Sequence, residues 1–166
     1  MTKTVKQLDD LFHDTLKDVY FAEKKIVSAL PKMAKAAISP KLKLAFETHK
    51  TETEGHVKRL EEVFGLIDAK PQAKTCDAIM GLVKEGDGII EDYKGSPALD
   101  AALLAVAQAV EHYEMARYGT LKSWADELGI HEAAALLETT LQEEKKTDAA
   151  LSALAISVIN IEAEAA

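Results

Sequence analysis

The stretch VEHYEMARYGTL, residues 110–121, combines the periodicity of a buried helix with acidic residues that such a helix rarely carries. Val110 and Leu121 belong to an apolar row whose members recur at helical spacing. Glu114 falls on the same inward row, and Glu111 lies one turn before it. Charged side chains are seldom buried unless they are paired, so this helix is predicted to contribute to a polar site inside an apolar core.

Two further long helices are predicted before this stretch. The first starts near Leu8 and continues through Pro31, which should kink it rather than end it. The second runs from about 40 to 64, because Ser39 and Pro40 form a helix start and Gly65 is a plausible stop.

The remaining chain is predicted to hold a crossover and two more long helices. Four glycines interrupt the apolar pattern of residues 66–95, which indicates a connection with one or two short helices. Ser96 and Pro97 then repeat the start signal, and Gly129 ends the third long helix. A fourth begins near His131 and runs into a polar, frayed tail.

These elements predict an all-α fold, a ferritin-like antiparallel four-helix bundle with a long crossover between helices 2 and 3. Inward carboxylates commonly hold two metal ions in bundles of this connectivity. A length of 166 residues fits a single domain over residues 1–166.

Composition indicates which partners and which cellular compartment to expect. The formal charge of −8 disfavours nucleic acid and anionic membrane surfaces. No run of about 20 apolar residues could span a bilayer, and the N-terminus lacks the apolar segment of a secretory signal. Cys76 is the only cysteine, so no internal disulfide can form. We expect a cytoplasmic protein.

Each predicted long helix places one acid on its apolar face near its middle. Glu23 interrupts the first stripe, and the second helix offers either Glu52 or Thr53 on a row that also holds His49 and His56. An offset of 91 residues relates Glu23 to Glu114 and Glu52 to Glu143, which indicates two related halves. The inward acids of the four helices are Glu23, Glu52, Glu114 and Glu144.

Several buried carboxylates cannot all stay ionised without a countercharge. Two divalent cations would supply it, and oxygen donors with a little imidazole suit iron or manganese better than zinc. His49, Glu111 and Asp148 are supporting candidates, whereas His56 is left open as a ligand or a spectator. The alternative is that these glutamates lie on solvated helix flanks, as most glutamates do.

The chain resembles a known family in four strings: Ala22-Glu23-Lys24, His49-x-x-Glu52-Thr53-x-Gly55, the stretch at 110–121, and Glu143-Glu144-Lys145-x-Thr147-Asp148. These resemble the YciF/YciE bacterial stress-protein family over nearly the whole chain. The resemblance implies a ferritin-like fold, a role in stress and a homodimer, without an assigned reaction. The metal-facing residues that it implies are Glu23, Glu52, Glu114 and Glu144, supported by His49, Glu111 and Asp148.

One departure from ferritin-like relatives bears on function. Ferritins, rubrerythrins and manganese catalases usually supply Glu-x-x-His on two helices, and this chain has no such motif; His49-x-x-Glu52 reverses the order. Two functions therefore compete: a di-metal centre that handles oxygen, peroxide or iron, and a non-catalytic dimeric stress or interaction protein with a degenerate site. An oxygen-dependent enzyme for a small organic substrate would additionally need an access pocket.

Overall fold

A computed structural model describes residues 5–165, and all the regular elements in that range are helices. The all-α prediction is confirmed. None of these helices has the length and apolar character needed to cross a membrane. The elements in chain order are α1 (Leu8–Ala36), α2 (Pro40–Leu66), α3 (Asp77–Asp92), α4 (Leu99–Glu127), α5 (His131–Leu154), a π-helical turn (Ala155–Ile159) and α6 (Asn160–Glu164).

The long helices pack as two consecutive pairs, α1 with α2 and α4 with α5. The pairs meet where α2 contacts α5 and where α1 contacts α4, while α3 packs against α1 and α4. Two contacts show that α1 and α2 run in opposite directions. The Tyr20 hydroxyl donates to Glu61 Oε1 at 2.8 Å, whereas Glu23, which comes later in α1, faces His56, which comes earlier in α2.

The prediction that Gly65 ends the second helix is wrong. Gly65 lies inside α2, and the chain leaves the helix at Asp68, which adopts a φ of 53°. The Ala69 N–H donates to the Phe64 carbonyl at 3.0 Å, and the Asp68 N–H donates to the Gly65 carbonyl at 3.1 Å. This pair of bonds is a Schellman motif, and aspartate fills the left-handed position that glycine usually takes.

The start of α4 also differs from its prediction. Ser96 does not cap the helix directly, because α4 begins at Leu99. Ser96 Oγ instead accepts a hydrogen bond from the Ala98 N–H at 3.2 Å, which stabilises a turn in front of the helix. The predicted end is confirmed: Gly129 has a φ of 74°, and the Ile130 N–H bonds the Ala125 carbonyl at 2.8 Å.

Residues 66–95 contain one helix, where one or two short helices are predicted, and the C-terminal segment is more helical than predicted. Three of the crossover glycines lie inside α3, a single helix of 16 residues, whereas Gly95 follows it with a φ of 78°. The described chain stays helical from Ala155 to Glu164, where a polar, frayed tail is predicted. Burial of Ile159, 1% exposed, explains why this segment remains ordered against the core.

The apolar core is divided into two clusters by a polar layer. In α1, the buried apolar residues between 12 and 20 belong to one cluster and those between 22 and 34 to the other. The same division recurs in α4, where Val110 and Tyr118 lie in different clusters, and in α5, where Leu141 and Leu151 do so. The polar layer therefore crosses all four long helices near their middles.

Candidate metal centre

Six ionisable side chains meet in this polar layer, each at most 6% exposed. One comes from α1, two from α2, two from α4 and one from α5. We call them the carboxylate–histidine cluster: Glu23, His49, His56, Glu111, Glu114 and Glu144.

Helical spacing explains why these residues point inward together. His49 and His56 are seven residues apart, which is two helical turns, and Glu111 and Glu114 are three apart, so each pair shares a face. Thr53 lies between the two histidines on that face and is fully buried. Its hydroxyl donates to the His49 carbonyl at 2.8 Å, which satisfies the only polar group it brings inside.

One half of the cluster consists of His49, Glu111, Glu114 and Glu144. One potential ligand atom from each of these residues lies within 4.8 Å of those of the others. His49 Nε2 lies 3.1 Å from Glu111 Oε1. Three carboxylates and one imidazole thus surround a common point.

The other half consists of Glu23, His56 and Glu144, whose ligand atoms also lie within 4.8 Å of one another. His56 Nδ1 is 2.9 Å from Glu144 Oε1 and 3.6 Å from Glu23 Oε1. Glu144 therefore belongs to both halves, in the position of a carboxylate that could bridge two ions.

Most polar atoms of the cluster are buried without a hydrogen bond. Among the described residues, nine of its side-chain nitrogen and oxygen atoms have no hydrogen-bond partner, including both oxygens of Glu114 and of Glu144. His49 Nε2 and His56 Nδ1 are among them, because their close approaches to carboxylates lack hydrogen-bond alignment. Buried polar groups in native proteins nearly always have partners, so the cluster is incomplete as a protein-only network.

Burial shifts the protonation of the two α4 glutamates. Desolvation, followed by the charge of Glu144, raises the pKa of Glu111 to about 10. Desolvation and the charges of Glu144 and Glu23 raise the pKa of Glu114 well above its usual value. In the metal-free protein, burial therefore favours the protonated form of both acids.

His56 and Glu144 form an opposite pair. Burial alone would lower the pKa of His56, but Glu144 and Glu23 outweigh burial and raise this pKa to about 10. Burial acts to raise the pKa of Glu144, yet contact with His56 outweighs it, and this pKa is lowered. The metal-free cluster thus contains an imidazolium beside a carboxylate.

Further contacts orient the cluster from outside. His56 Nε2 is hydrogen-bonded to Glu143 Oε2 at 2.9 Å. Arg59 donates to the same oxygen at 2.8 Å and to the Thr140 hydroxyl at 2.6 Å. The buried Tyr118 hydroxyl donates to Glu23 Oε1. These contacts direct His56 Nδ1 and the free oxygen of Glu23 toward the interior.

The structure brings together five of the seven residues predicted from sequence: Glu23, His49, Glu111, Glu114 and Glu144. The Glu52 side chain is 40% exposed at the edge of the cluster, with Oε2 3.8 Å from His49 Nδ1. Asp148 lies outside the cluster, where it accepts a hydrogen bond from Gln108 at 3.2 Å and lies 3.3 Å from His112 Nε2.

Sequence reasoning left His56 open as a ligand or a spectator and did not select Tyr118 as a contact of the cluster. His56 had a usable signal, since it lies two turns after His49 on the same apolar row. Tyr118 lies one turn after Glu114, but an amphipathic tyrosine on a core face gives no indication of where its hydroxyl points. The bond from Tyr118 to Glu23 joins α4 to α1 and depends on the packing of the two helices.

Comparison with known proteins identifies the family. The family described as "Domain of unknown function (DUF892)" matches residues 7–164. Protein YciF of Escherichia coli K12 is 44% identical over 161 residues, which cover 96% of this chain and 97% of YciF.

Solved structures agree with this relationship. The E. coli stress protein YciF matches with a TM-score of 0.89 at 43% identity, covering 94% of this chain and 99% of that one. YcfI of Rhodopseudomonas palustris, for which a structural role has been suggested, matches with a TM-score of 0.88 at 41% identity, covering 92% and 97%. A Xanthomonas campestris protein at 22% identity and a TM-score of 0.76 shares the fold. The chain therefore belongs to the DUF892 family, together with the stress protein YciF that its sequence resembles.

Proposed function

We propose that this protein is a ferritin-like four-helix bundle that binds two iron or manganese ions in the carboxylate–histidine cluster and uses them to handle oxygen, peroxide or iron during stress. Two helix pairs joined by a long connection that contains α3 support the fold proposal. The relation to a stress protein supports the physiological setting.

The observation that carries the proposal is the set of nine buried polar atoms without hydrogen bonds. Leaving such groups unpaired costs on the order of 1–3 kcal/mol each, and more for ionised groups. Two divalent ions would bind these atoms directly. The four carboxylates of the cluster carry four negative charges when ionised, which two divalent ions neutralise.

The residues divide naturally between two ions. His49, Glu111 and Glu114 would hold one ion, Glu23 and His56 would hold the other, and Glu144 would bridge them. The bound metals would supply the redox chemistry with oxygen or peroxide. The protein's part is to orient the ligands, through Tyr118 on Glu23 and through Glu143 on His56, and to keep the site within an apolar core.

The donor set favours iron or manganese. Four carboxylates and two imidazoles form an oxygen-rich set without thiolate, and Cys76 lies elsewhere, with Sγ 3.0 Å from the Tyr113 hydroxyl. Structural zinc sites are usually rich in cysteine, and magnesium prefers several retained waters. His56 supplies a second imidazole although the Glu-x-x-His motif is missing, so the site contains more histidine than the motif alone indicates.

The proposal is tested by counting metal per chain in protein purified without chelator. Elemental analysis should find close to two iron or manganese ions per chain. The E114Q/E144Q double variant should fall well below one ion, whereas the control E47Q/E54Q, on the exposed face of α2, should match the unmodified protein. Equal metal content in both double variants would show that any bound metal lies outside the cluster.

One observation favours the alternative, a non-catalytic stress or interaction protein. The His56 imidazolium lies beside Glu144 and Glu23 and can offset part of their charge without metal. A protein that relies on this compensation would contain no stoichiometric metal, and Fe(II) or Mn(II) would not raise its melting temperature. Metal analysis of the unmodified protein therefore separates the two functions.

A further inference from the structure

A cavity of about 460 Å³ lies beside the carboxylate–histidine cluster. It is about three times the size of an engineered apolar cavity that binds benzene, and it falls in the usual range of small-molecule pockets. Its walls come from all five of the helices α1 to α5 and are mainly aliphatic, with Ile26, Leu30, Leu82, Val106 and Leu151 among them.

The two ends of the cavity differ in chemistry. One end is lined by His49 and Glu111 of the cluster, together with Glu52 at its edge. The other end includes Lys41 and Leu44 near the start of α2, and Leu44 is 63% exposed, so this end meets solvent. Lys41 and His49 are eight residues apart on one helix, a separation of about 12 Å. The cavity is therefore long enough for an extended chain.

Charge determines how an amphipathic molecule would lie in this cavity. The exposed carboxylate of Glu52, at the edge of the cluster, disfavours an anion at the end lined by His49 and Glu111. Of the two lysines that line the cavity, Lys146 acts on the carboxylate of Glu52, whereas Lys41 has no ion-pair partner among residues 5–165. A further acid in the lining, Asp87, is paired with Lys32 at 2.6 Å. An anionic head group would thus be placed at Lys41, with its apolar part along the aliphatic walls.

We propose that this cavity binds a medium-chain aliphatic carboxylate, with its carboxylate at Lys41 and the end of its chain beside His49 and Glu111. Binding of the chain needs only the cavity and Lys41. The further role, that the chain end is presented as a substrate to the metal centre, rests on the proposed function.

Decanoate binding measured by isothermal titration calorimetry, on both metal-free and metal-loaded protein, tests the inference. We expect saturable binding to one site per chain in both forms and weaker binding of the shorter hexanoate. K41M should weaken decanoate binding by up to about fivefold, the range of an exposed ion pair. Decanoate binding without stoichiometric metal would overturn the proposed function and leave the cavity assignment standing.

A matched pair of tryptophan variants on α5 locates the binding site. Ala150 and Ala135 are both exposed positions of α5, but only Ala150 lines the cavity. A150W should lower decanoate affinity roughly tenfold or more while keeping the metal content and helicity of the control A135W. A smaller filling change inside the cavity, A107L, should act in the same direction.

Two results would overturn the inference. The first is decanoate affinity that is equal in A150W, A107L and A135W, since the ligand would then bind elsewhere. The second is an absence of saturable decanoate binding to the unmodified protein. A change of oligomeric state in A150W would then indicate that a second copy of the chain covers the cavity.

Discussion

At the residue scale, Glu144 and Glu52 differ in what their replacement should do to metal binding. Glu144 is fully buried and belongs to both halves of the cluster, whereas the Glu52 side chain is 40% exposed. We expect E144Q to reduce bound metal to less than half of the unmodified value and E52Q to leave it nearly unchanged, measured by elemental analysis. Equal losses in both variants would mean that Glu52 turns inward to bind metal.

The position of Glu52 shows where sequence reasoning stops at this scale. The 91-residue offset matches Glu52 with Glu143, whose side chains are 40% and 39% exposed, and each contacts a histidine. The residue equivalent to the buried Glu144 is Thr53. Periodicity alone could not decide whether Glu52 or Thr53 faces the core. Adjacent positions on a helix differ by about 100°, so a small rotation of the helix determines which of the two points inward.

A second residue-scale prediction concerns the stability of the metal-free protein between pH 6.5 and 9. His56 has a pKa of about 10 when folded, above its ordinary value of 6.5. Its stabilising effect is fully present below pH 6.5 and is lost as the pH rises toward 10. Glu111, raised from 4.5 to about 10, acts in the same direction. The free energy of unfolding should therefore fall across this range.

Urea unfolding of chelator-treated protein at several pH values measures this effect. The variant E111Q lacks the ionisable carboxyl group at this position, so its free energy of unfolding should fall less steeply with pH. Stability that stays level or increases from pH 6.5 to 9 in the unmodified protein would contradict the assigned protonation states.

At the element scale, two glycines near helix ends should respond oppositely to alanine. Gly65 lies inside α2, where an added Cβ meets no atom within 4 Å, so G65A should stabilise the protein by up to about 1 kcal/mol. Gly129 has a φ of 74°, so G129A should destabilise it by about 1–2 kcal/mol. Chemical denaturation measures the free energy of unfolding of both variants. Destabilisation by G65A would indicate that α2 ends at Gly65 after all.

Helix existence was predictable from sequence, and several helix ends were not. Long apolar periodicity identified all four long helices. The prediction that Gly129 ends α4 was correct because the Schellman hydrogen bonds there need a residue in the left-handed conformation. The prediction that Gly65 ends α2 was wrong because Asp68, three residues later, takes the left-handed conformation instead. The glycines of α3 did not break it, because its apolar residues pack against α1 and α4, and such packing outweighs helix propensity.

At the scale of the whole molecule, the predicted homodimer stays a prediction. Several apolar side chains are more than half exposed in the described chain, among them Ile38, Leu44, Ile156 and Ile161. Size-exclusion chromatography with light scattering would give the mass directly. An association that buries these residues should shield their neighbouring amides from hydrogen exchange in a concentration-dependent manner.

Metal binding should stabilise the molecule as a whole, because the cluster draws ligands from α1, α2, α4 and α5 and lies between the two apolar clusters. At a free Mn(II) concentration about 100 times its Kd, each site should add about 2.7 kcal/mol to the free energy of unfolding. Hydrogen exchange should slow near the middle of all four helices together, while α3 changes less. The E114Q/E144Q variant should show neither effect. Slowing confined to one helix would place the ion on the surface, since only a site between the helices can stabilise all four at once.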